Sequence, residues 1–344
     1  MSQMTRILVV DDSAFARKVL REVLGTSAGL EVVGTASDGL EALEKVQQLR
    51  PDVVTLDLVM PNLDGLGFLR ALSDLGQKTR VVVVSISGEE SDLVLEALQL
   101  GAVEFVKKPT ALATDRLYEL SGTLIGAVRA AALAVPRPVS AQAIPPPSVP
   151  PVPSARTAEI LVVGTSTGGP NALTRLLSSM PPDFPVPIAI ALHIPVDYTQ
   201  ALARRLDQLC ALEVVEAHEG VEVRAGRVVI ARGGIHLRLE REHGGVVGRL
   251  TRKPAESLYF PSVDVLFESA AQAFGAGTLG VVLTGMGDDG LVGSRAIVAR
   301  GGRVLTEAES SCVVFGMPRV VREAKLSTAE APLEQMTAKI ISVL

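Results

Sequence analysis

Two α/β domains, each built on a doubly wound parallel sheet, are predicted by three observations. Short β-branched runs alternate with helix-period stretches five times ahead of Pro109. Eight of the 21 prolines then fall between Pro136 and Pro153. After that stretch the alternation resumes, interrupted once by a strand-and-turn section. Alternation of this kind builds parallel sheets covered by helices. At 344 residues the chain also exceeds one ordinary core and suits two.

The first domain takes its strands from Ile7–Val10, Glu31–Val33, Val53–Leu56, Val81–Val84 and Val103–Val106. Helix-period stretches lie between them at Ala14–Leu24, Leu40–Leu49, Gly65–Leu75 and Asp92–Leu100. Closely spaced prolines fix φ and remove donors, so the stretch among Ser, Ala and Gln that follows reads as an extended linker. In the second domain a strand at Ile160–Val163 leads into a helix ending near Ser179. Ile188–Leu192, a helix to Leu209 and Glu213–Val215 come next. An antiparallel insertion is expected from about Arg224 to Arg252. Helix Val263–Phe274, strand Leu279–Leu283, helix Leu291–Arg300 and strand Arg303–Leu305 complete the assignment. The expected boundaries are 1–132, a linker at 133–157, and 158–344.

Composition narrows the function classes. Hydrophobic residues make up 47% and charged residues 21%, which is globular rather than disordered. Runs such as Pro187–Leu192 and Leu279–Leu283 are far below the ~20 residues that span a bilayer, so no membrane insertion is expected. Only four apolar residues separate Arg6 from Asp11, too few for a signal peptide, and a cytoplasmic location is expected. Cys210 and Cys312 form no metal-ligand spacing. With a net charge of −5 and no basic stripe among aromatics, no nucleic-acid partner is expected.

Residues just after parallel strands gather at one sheet edge, where ligands bind. Asp11 and Asp12 leave the first strand there and Asp57 leaves the third. Three converging carboxylates repel unless a hard cation neutralises them, and Mg²⁺ suits an all-oxygen site that also meets phosphate. Ser85 and Lys108, ending the fourth and fifth strands, could donate to and pair with a phosphoryl group. A cis bond is expected before Pro109. Alone, each feature has an ordinary reading, as a helix cap or a solvated lysine. Together, in order, they resemble the response-regulator receiver domain over roughly Thr5 to Ala131. The resemblance implies that Asp57 is the phosphoacceptor, charged by a histidine kinase. Asp12, Asp57 and the Val59 carbonyl would bind Mg²⁺ directly and Asp11 through water. Ser85 and Lys108 would read the phosphate, and Phe105 would couple it to the adjacent face.

In the second domain Gly164-Thr165-Ser166-Thr167-Gly168 fits a nucleophile turn between strand and helix. N–H groups from about Gly168 onward favour a developing oxyanion. Of four histidines, His193 ends an apolar strand on the same edge as Ser166 and can take its proton. His218 and His243 read as loop and turn residues, and His236 as a strand residue that packs or faces solvent. Asp289 can orient the imidazole, and its neighbour Asp288 competes for that place. The order Ser, His, Asp differs from that of α/β-hydrolases.

Leu192-His193-Ile194-Pro195, Pro261-Ser262-Val263-Asp264, Leu283-Thr284-Gly285-Met286-Gly287-Asp288-Asp289-Gly290 and Ser311–Arg319 join the serine motif. Together they resemble the catalytic domain of chemotaxis protein-glutamate methylesterases from about Glu159 to Leu344. By that resemblance Ser166 is the nucleophile, His193 the general base and acid, and Asp289 its orienting partner. Thr167 would hydrogen-bond near the histidine, and the Met286 N–H would help hold the oxyanion. The substrates implied are γ-glutamyl methyl esters, and often glutamines, on the cytoplasmic domains of methyl-accepting chemoreceptors. No cofactor is expected for the esterase chemistry. The unphosphorylated receiver is implied to cover the site. Two departures stand out: Ser257-Leu258-Tyr259-Phe260, where the family is commonly polar or basic, and Ala231-Arg232-Gly233, where it often has Ala-Pro-Gly. The alternatives are a phosphorylation-dependent binding module with an inactive hydrolase domain, and a related serine hydrolase with another substrate.

Overall fold

The computed structural model describes residues 4–77, 79–86, 91–108, 114–135, 158–242 and 245–344. Pro109, most of the expected linker and His243 lie outside them. The chain divides into two compact units, Met1–Ala141 and Gln142–Leu344.

In the first unit a parallel five-stranded sheet has the order β2-β1-β3-β4-β5. The strands are β1 (Thr5–Val10), β2 (Leu30–Ala36), β3 (Val53–Leu56), β4 (Arg80–Ile86) and β5 (Glu104–Lys108). Helices α1 (Ala14–Gly25), α2 (Gly39–Leu49), α3 (Gly65–Asp74), α4 (Ser91–Gln99) and α5 (Thr114–Leu133) alternate with them. Every residue of β3 is buried, as a central parallel strand covered on both faces requires. The first three helices open on side-chain caps: Ser13 accepts from the Ala16 N–H, Asp38 from Glu41 and Asp64 from Gly67. These caps satisfy donors that the first turn leaves unpaired. Because β1 and β3 are adjacent and parallel, Asp11 and Asp57 leave the sheet side by side.

The second unit carries a parallel seven-stranded sheet in the order β15-β14-β13-β6-β7-β10-β8. Its strands are β6 (Ile160–Thr165), β7 (Ile188–Leu192), β8 (Glu213–Glu216), β10 (Arg227–Ile230), β13 (Thr278–Val282), β14 (Arg303–Glu307) and β15 (Ala329–Ala331). A separate antiparallel sheet joins β11 (His236–Glu242), β12 (Gly245–Thr251) and β9 (Val221–Glu222). Helices α6 (Gly169–Ser178), α7 (Thr199–Leu209), α8 (Val263–Phe274), α9 (Leu291–Ala299), α10 (Met317–Glu323) and α11 (Leu333–Ile341) complete the unit.

Two features depart from the sequence reading. The expected antiparallel section includes β10, yet β10 lies inside the parallel sheet between β7 and β8. Its Val-Val-Ile run is buried on both faces, a central-strand pattern that a short strand shares with a hairpin arm. Residues beyond Leu305, given no elements from sequence, form α10, β15 and α11.

The chain builds outward from β6 through β7 to β8 and β10, then returns to β13 on the other side of β6. The strand order therefore reverses between β6 and β13, the kind of switch point where α/β sheets bind ligands. Below this edge α8 packs against β6, β11 and α9. Its Val263, Leu266 and Phe267 join Val162, Leu237 and Met317 in one buried cluster. Among the described residues no helix is long and apolar enough to cross a membrane.

Candidate active site and phosphoacceptor site

Ser166, His193 and Asp289 leave the ends of β6, β7 and β13, and the fold brings them into hydrogen-bond contact. His193 Nδ1 lies 3.1 Å from Ser166 Oγ, and Nε2 lies 2.7 Å from Asp289 Oδ2. A carboxylate can only accept, so Nε2 carries the proton and Nδ1 is left to accept from the serine. Asp288 is exposed while Asp289 is buried, which separates the two candidates that spacing left open.

The surroundings of Asp289 explain how a buried carboxylate stays charged. Besides His193, Oδ2 accepts from the Val263 N–H at 2.7 Å. Oδ1 accepts from the Asp264 N–H and from Ser262 Oγ, each at 2.9 Å. Asp289 thus sits on the N-terminus of α8, where unpaired N–H groups and the helix dipole favour an anion. Burial opposes ionisation, but His193 and the α8 N–H groups outweigh it and hold the carboxyl below its usual range. The arrangement is reciprocal. Asp264 Oδ1 accepts from Gly290 and Gly293, at 2.9 and 2.6 Å, in the first turn of α9. Burial, with Asp289 nearby, pushes the Asp264 carboxyl up to about 7.

The Pro-Ser-Val-Asp motif therefore acts through the Val263 and Asp264 N–H groups together with the Ser262 hydroxyl and the Asp264 carboxyl. Behind it, buried His236 accepts from the Ser262 N–H through Nδ1 at 3.1 Å. Burial lowers its pKa and favours the neutral ring, which accepts from Ser262. His218 is exposed.

Ser166 is held from below. Its N–H donates to the Thr284 carbonyl at 3.1 Å, and the Thr165 hydroxyl donates there at 2.7 Å. Fully buried Glu307 accepts from the Thr284 N–H at 2.8 Å and from Ser311. The Ser311–Arg319 motif supports the same turn: Gly316 and Met317 donate to the Gly285 carbonyl. At Gly285 a Cβ would fall 2.9 Å from Ser166 Cβ, so only glycine lets the Met286 turn approach the serine this closely. Gly168, capping α6 at φ +79°, would likewise drive a Cβ into Val313 at 2.8 Å. Thr167 is buried and its carbonyl accepts from Thr284 Oγ1; among the described hydrogen bonds its hydroxyl does not reach His193. The unexpected neighbour is Tyr259, stacked on the His193 ring.

In the first unit Asp11 and Asp57 are buried and Asp12 is exposed, with their carboxylate oxygens within 4.8 Å of one another. Lys108 Nζ lies 2.6 Å from Oδ2 of both Asp11 and Asp57. Burial would lower the ammonium pKa, but these two carboxylates win and raise it. Burial pushes the Asp57 carboxyl above its usual range despite Lys108. Three carboxylates against one lysine leave negative charge uncompensated, and an all-oxygen donor set of this kind fits a hard divalent cation. Ser85 is buried at the end of β4, in register with Lys107, and Phe105 is buried on β5. Val59 is exposed beside Asp57's loop.

Comparison with known proteins places both units in known families. The CheB methylesterase family model matches residues 161–340, and the response regulator receiver domain model matches 7–119. The chain is 63% identical to protein-glutamate methylesterase/protein-glutamine glutaminase 5 of Myxococcus xanthus, across 97% of this chain and 96% of that one. It is 39% identical to the corresponding protein 3 of Geobacter sulfurreducens, across 98% and 96%. The crystal structure of the Thermotoga maritima CheB methylesterase catalytic domain superposes with a TM-score of 0.53 at 38% identity. That match covers 54% of this chain and 99% of that domain. The chain therefore belongs to the CheB methylesterase family, with a response regulator receiver domain ahead of its catalytic domain.

Proposed function

We propose that this chain is a phosphorylation-activated protein-glutamate methylesterase that also deamidates glutamine side chains. Its substrates are the cytoplasmic domains of methyl-accepting chemoreceptors, and a histidine kinase supplies its phosphate. The observation that carries the reading is the Ser166–His193–Asp289 relay, with Asp289 seated on the N-terminus of α8.

Ser166 Oγ attacks the carbonyl carbon of the γ-methyl ester of a methylated glutamate while His193 Nδ1 takes its proton. Asp289 keeps the other imidazole proton on Nε2 and stabilises the imidazolium. The N–H of Met286 and those at the start of α6, from Gly168, hold the oxyanion. Methanol leaves with the proton from Nδ1. Water then attacks the acyl-enzyme, again giving a proton to Nδ1, and restores Ser166 with a free γ-carboxylate. A glutamine carboxamide follows the same course with ammonia leaving.

In the receiver, Asp57 accepts the phosphoryl group, and Lys108 and Ser85 pair with its oxygens. Asp11, Asp12 and Asp57 would hold Mg²⁺, which when bound offsets the charge of the phosphoryl oxygens. Adding about −2 charge beside Lys108 gives these residues a new set of partners, a sufficient physical cause for a switch.

The test is methanol release from methyl-labelled receptor membranes by the full chain and by Ser166→Ala. Release that vanishes in the variant supports the reading; equal release from both rules it out.

A further inference from the structure

The loop ahead of α8 carries two ring contacts side by side. Tyr259 lies on His193 with ring centroids 4.0 Å apart and planes 3° from parallel. Phe260 lies on His236 at 4.4 Å. The chain has only three tyrosines, eight phenylalanines and no tryptophan. Two adjacent aromatics thus cover two of its four histidines.

The backbone holds this loop in place. Ser257 Oγ donates to the Tyr259 carbonyl at 2.9 Å, and the Phe260 carbonyl accepts from the Gly234 N–H at 2.9 Å. At the far end of the tyrosine, a Cβ on Gly287 would fall 2.9 Å from the hydroxyl. The ring therefore reaches from the imidazole to the glycine turn that follows Met286. Burial and the nearby Asp289 and Asp288 raise the phenol's pKa, so it is neutral when His193 acts.

We propose that Tyr259 is a positioning residue of the hydrolytic reaction, whose ring face keeps His193 in the plane of its two partners and stabilises the imidazolium formed when Nδ1 takes the Ser166 proton. This rests on the esterase reading above. A parallel ring at this distance leaves the imidazole free to slide but not to tilt away from Ser166 and Asp289. The face of an aromatic ring is negative, so attraction to the imidazole grows as it becomes a cation. Such an interaction is stronger in the transition state than in the ground state, and it appears in kcat. Tyr259 itself gives and takes no proton. The groups that face His193 are Ser166 after β6, Asp289 after β13 and Tyr259 ahead of α8. Exposed Asp288, near Tyr259, and half-buried Asp264, beside Asp289, are the nearby carboxyls.

The experiment compares the full chain with Tyr259→Leu, Tyr259→Met and Tyr259→Phe. Methanol release from methylated receptor membranes gives kcat and KM, and proton NMR follows the His193 ring. Ser166→Ala is the control. Loss of the ring should lower kcat about 3- to 30-fold with KM little changed. It should also move the His193 ring protons downfield as the ring-current shift disappears. Tyr259→Phe should restore both. Unchanged kcat in the two ringless variants, or a Tyr259→Phe as slow as they are, would overturn the proposal. Full release by Ser166→Ala would instead sink the esterase reading and this inference with it. Release lost in Ser166→Ala but intact in Tyr259→Leu sinks this inference alone.

Discussion

His193 uses its two nitrogens in a set order, Nδ1 toward Ser166 and Nε2 toward Asp289, and the order is imposed by Asp289 being an acceptor only. Replacing that carboxylate by an amide of the same size tests the point. In Asp289→Asn the amide oxygen stays with the Asp264 N–H and Ser262 Oγ, which leaves the amide NH₂ facing the imidazole and the Val263 N–H. Nε2 must then accept, its proton moves to Nδ1, and Nδ1 can no longer take the Ser166 proton. We expect kcat to fall on the order of 10³- to 10⁴-fold with the fold retained, as for the same change in other triads. Methanol-release kinetics beside a thermal melt measure both quantities. A variant within tenfold of wild type would mean that Asp289 does not set the tautomer.

Helices α8 and α9 present their N-termini to each other's aspartates: Asp289 caps α8 and Asp264 caps α9. The two carboxyls respond oppositely, because Asp289 also faces His193 while Asp264 is pushed up to about 7 by burial. The consequences for stability have opposite signs. Asp289, held low, stabilises the fold above its unfolded pKa, and this is lost as pH falls through the folded value. Asp264, held high, binds its proton more tightly when folded. The wild type therefore loses stability as pH rises from the unfolded value near 4 through about 7. Asp264→Asn keeps an oxygen for Gly290 and Gly293 but has no proton to lose. Its melting temperature relative to wild type should rise between pH 5 and pH 8, and calorimetry at the two pH values reads the difference. A difference that is flat or falls with pH contradicts the assignment.

Taken as a whole molecule, the chain couples a site that gains charge with a site that breaks acyl bonds. Asp57 is the only carboxylate of the three in the receiver that pairs closely with Lys108 and also lies at the end of the central strand β3. Phosphate added there meets a lysine already held by two carboxylates and must displace part of that pairing. If Asp57 is the acceptor, a small phosphodonor with Mg²⁺ raises methanol release by wild type and not by Asp57→Asn. Stimulation that survives in Asp57→Asn would place the acceptor elsewhere. Stimulation absent from both would separate the receiver from control of the esterase.

Much of this was legible in the sequence because it is local. Strand–helix alternation, strand-end residue chemistry and the glycines around Ser166 are properties of short segments, and they suffice for two parallel-sheet domains and for the CheB likeness. Ser166 and His193 could be named because parallel strands send their C-terminal residues to one edge. Spacing left Asp288 and Asp289 both open, and only the family resemblance chose Asp289. What the tertiary structure alone decided involves residues far apart in the chain. It buried Asp289 and exposed Asp288, and it placed β10 within the main sheet rather than in a hairpin. It turned Pro-Ser-Val-Asp into a seat for a carboxylate, and it laid Tyr259 on the His193 imidazole. None of these has a local signature, since burial, helix-end donors and ring contacts depend on what the rest of the fold brings alongside.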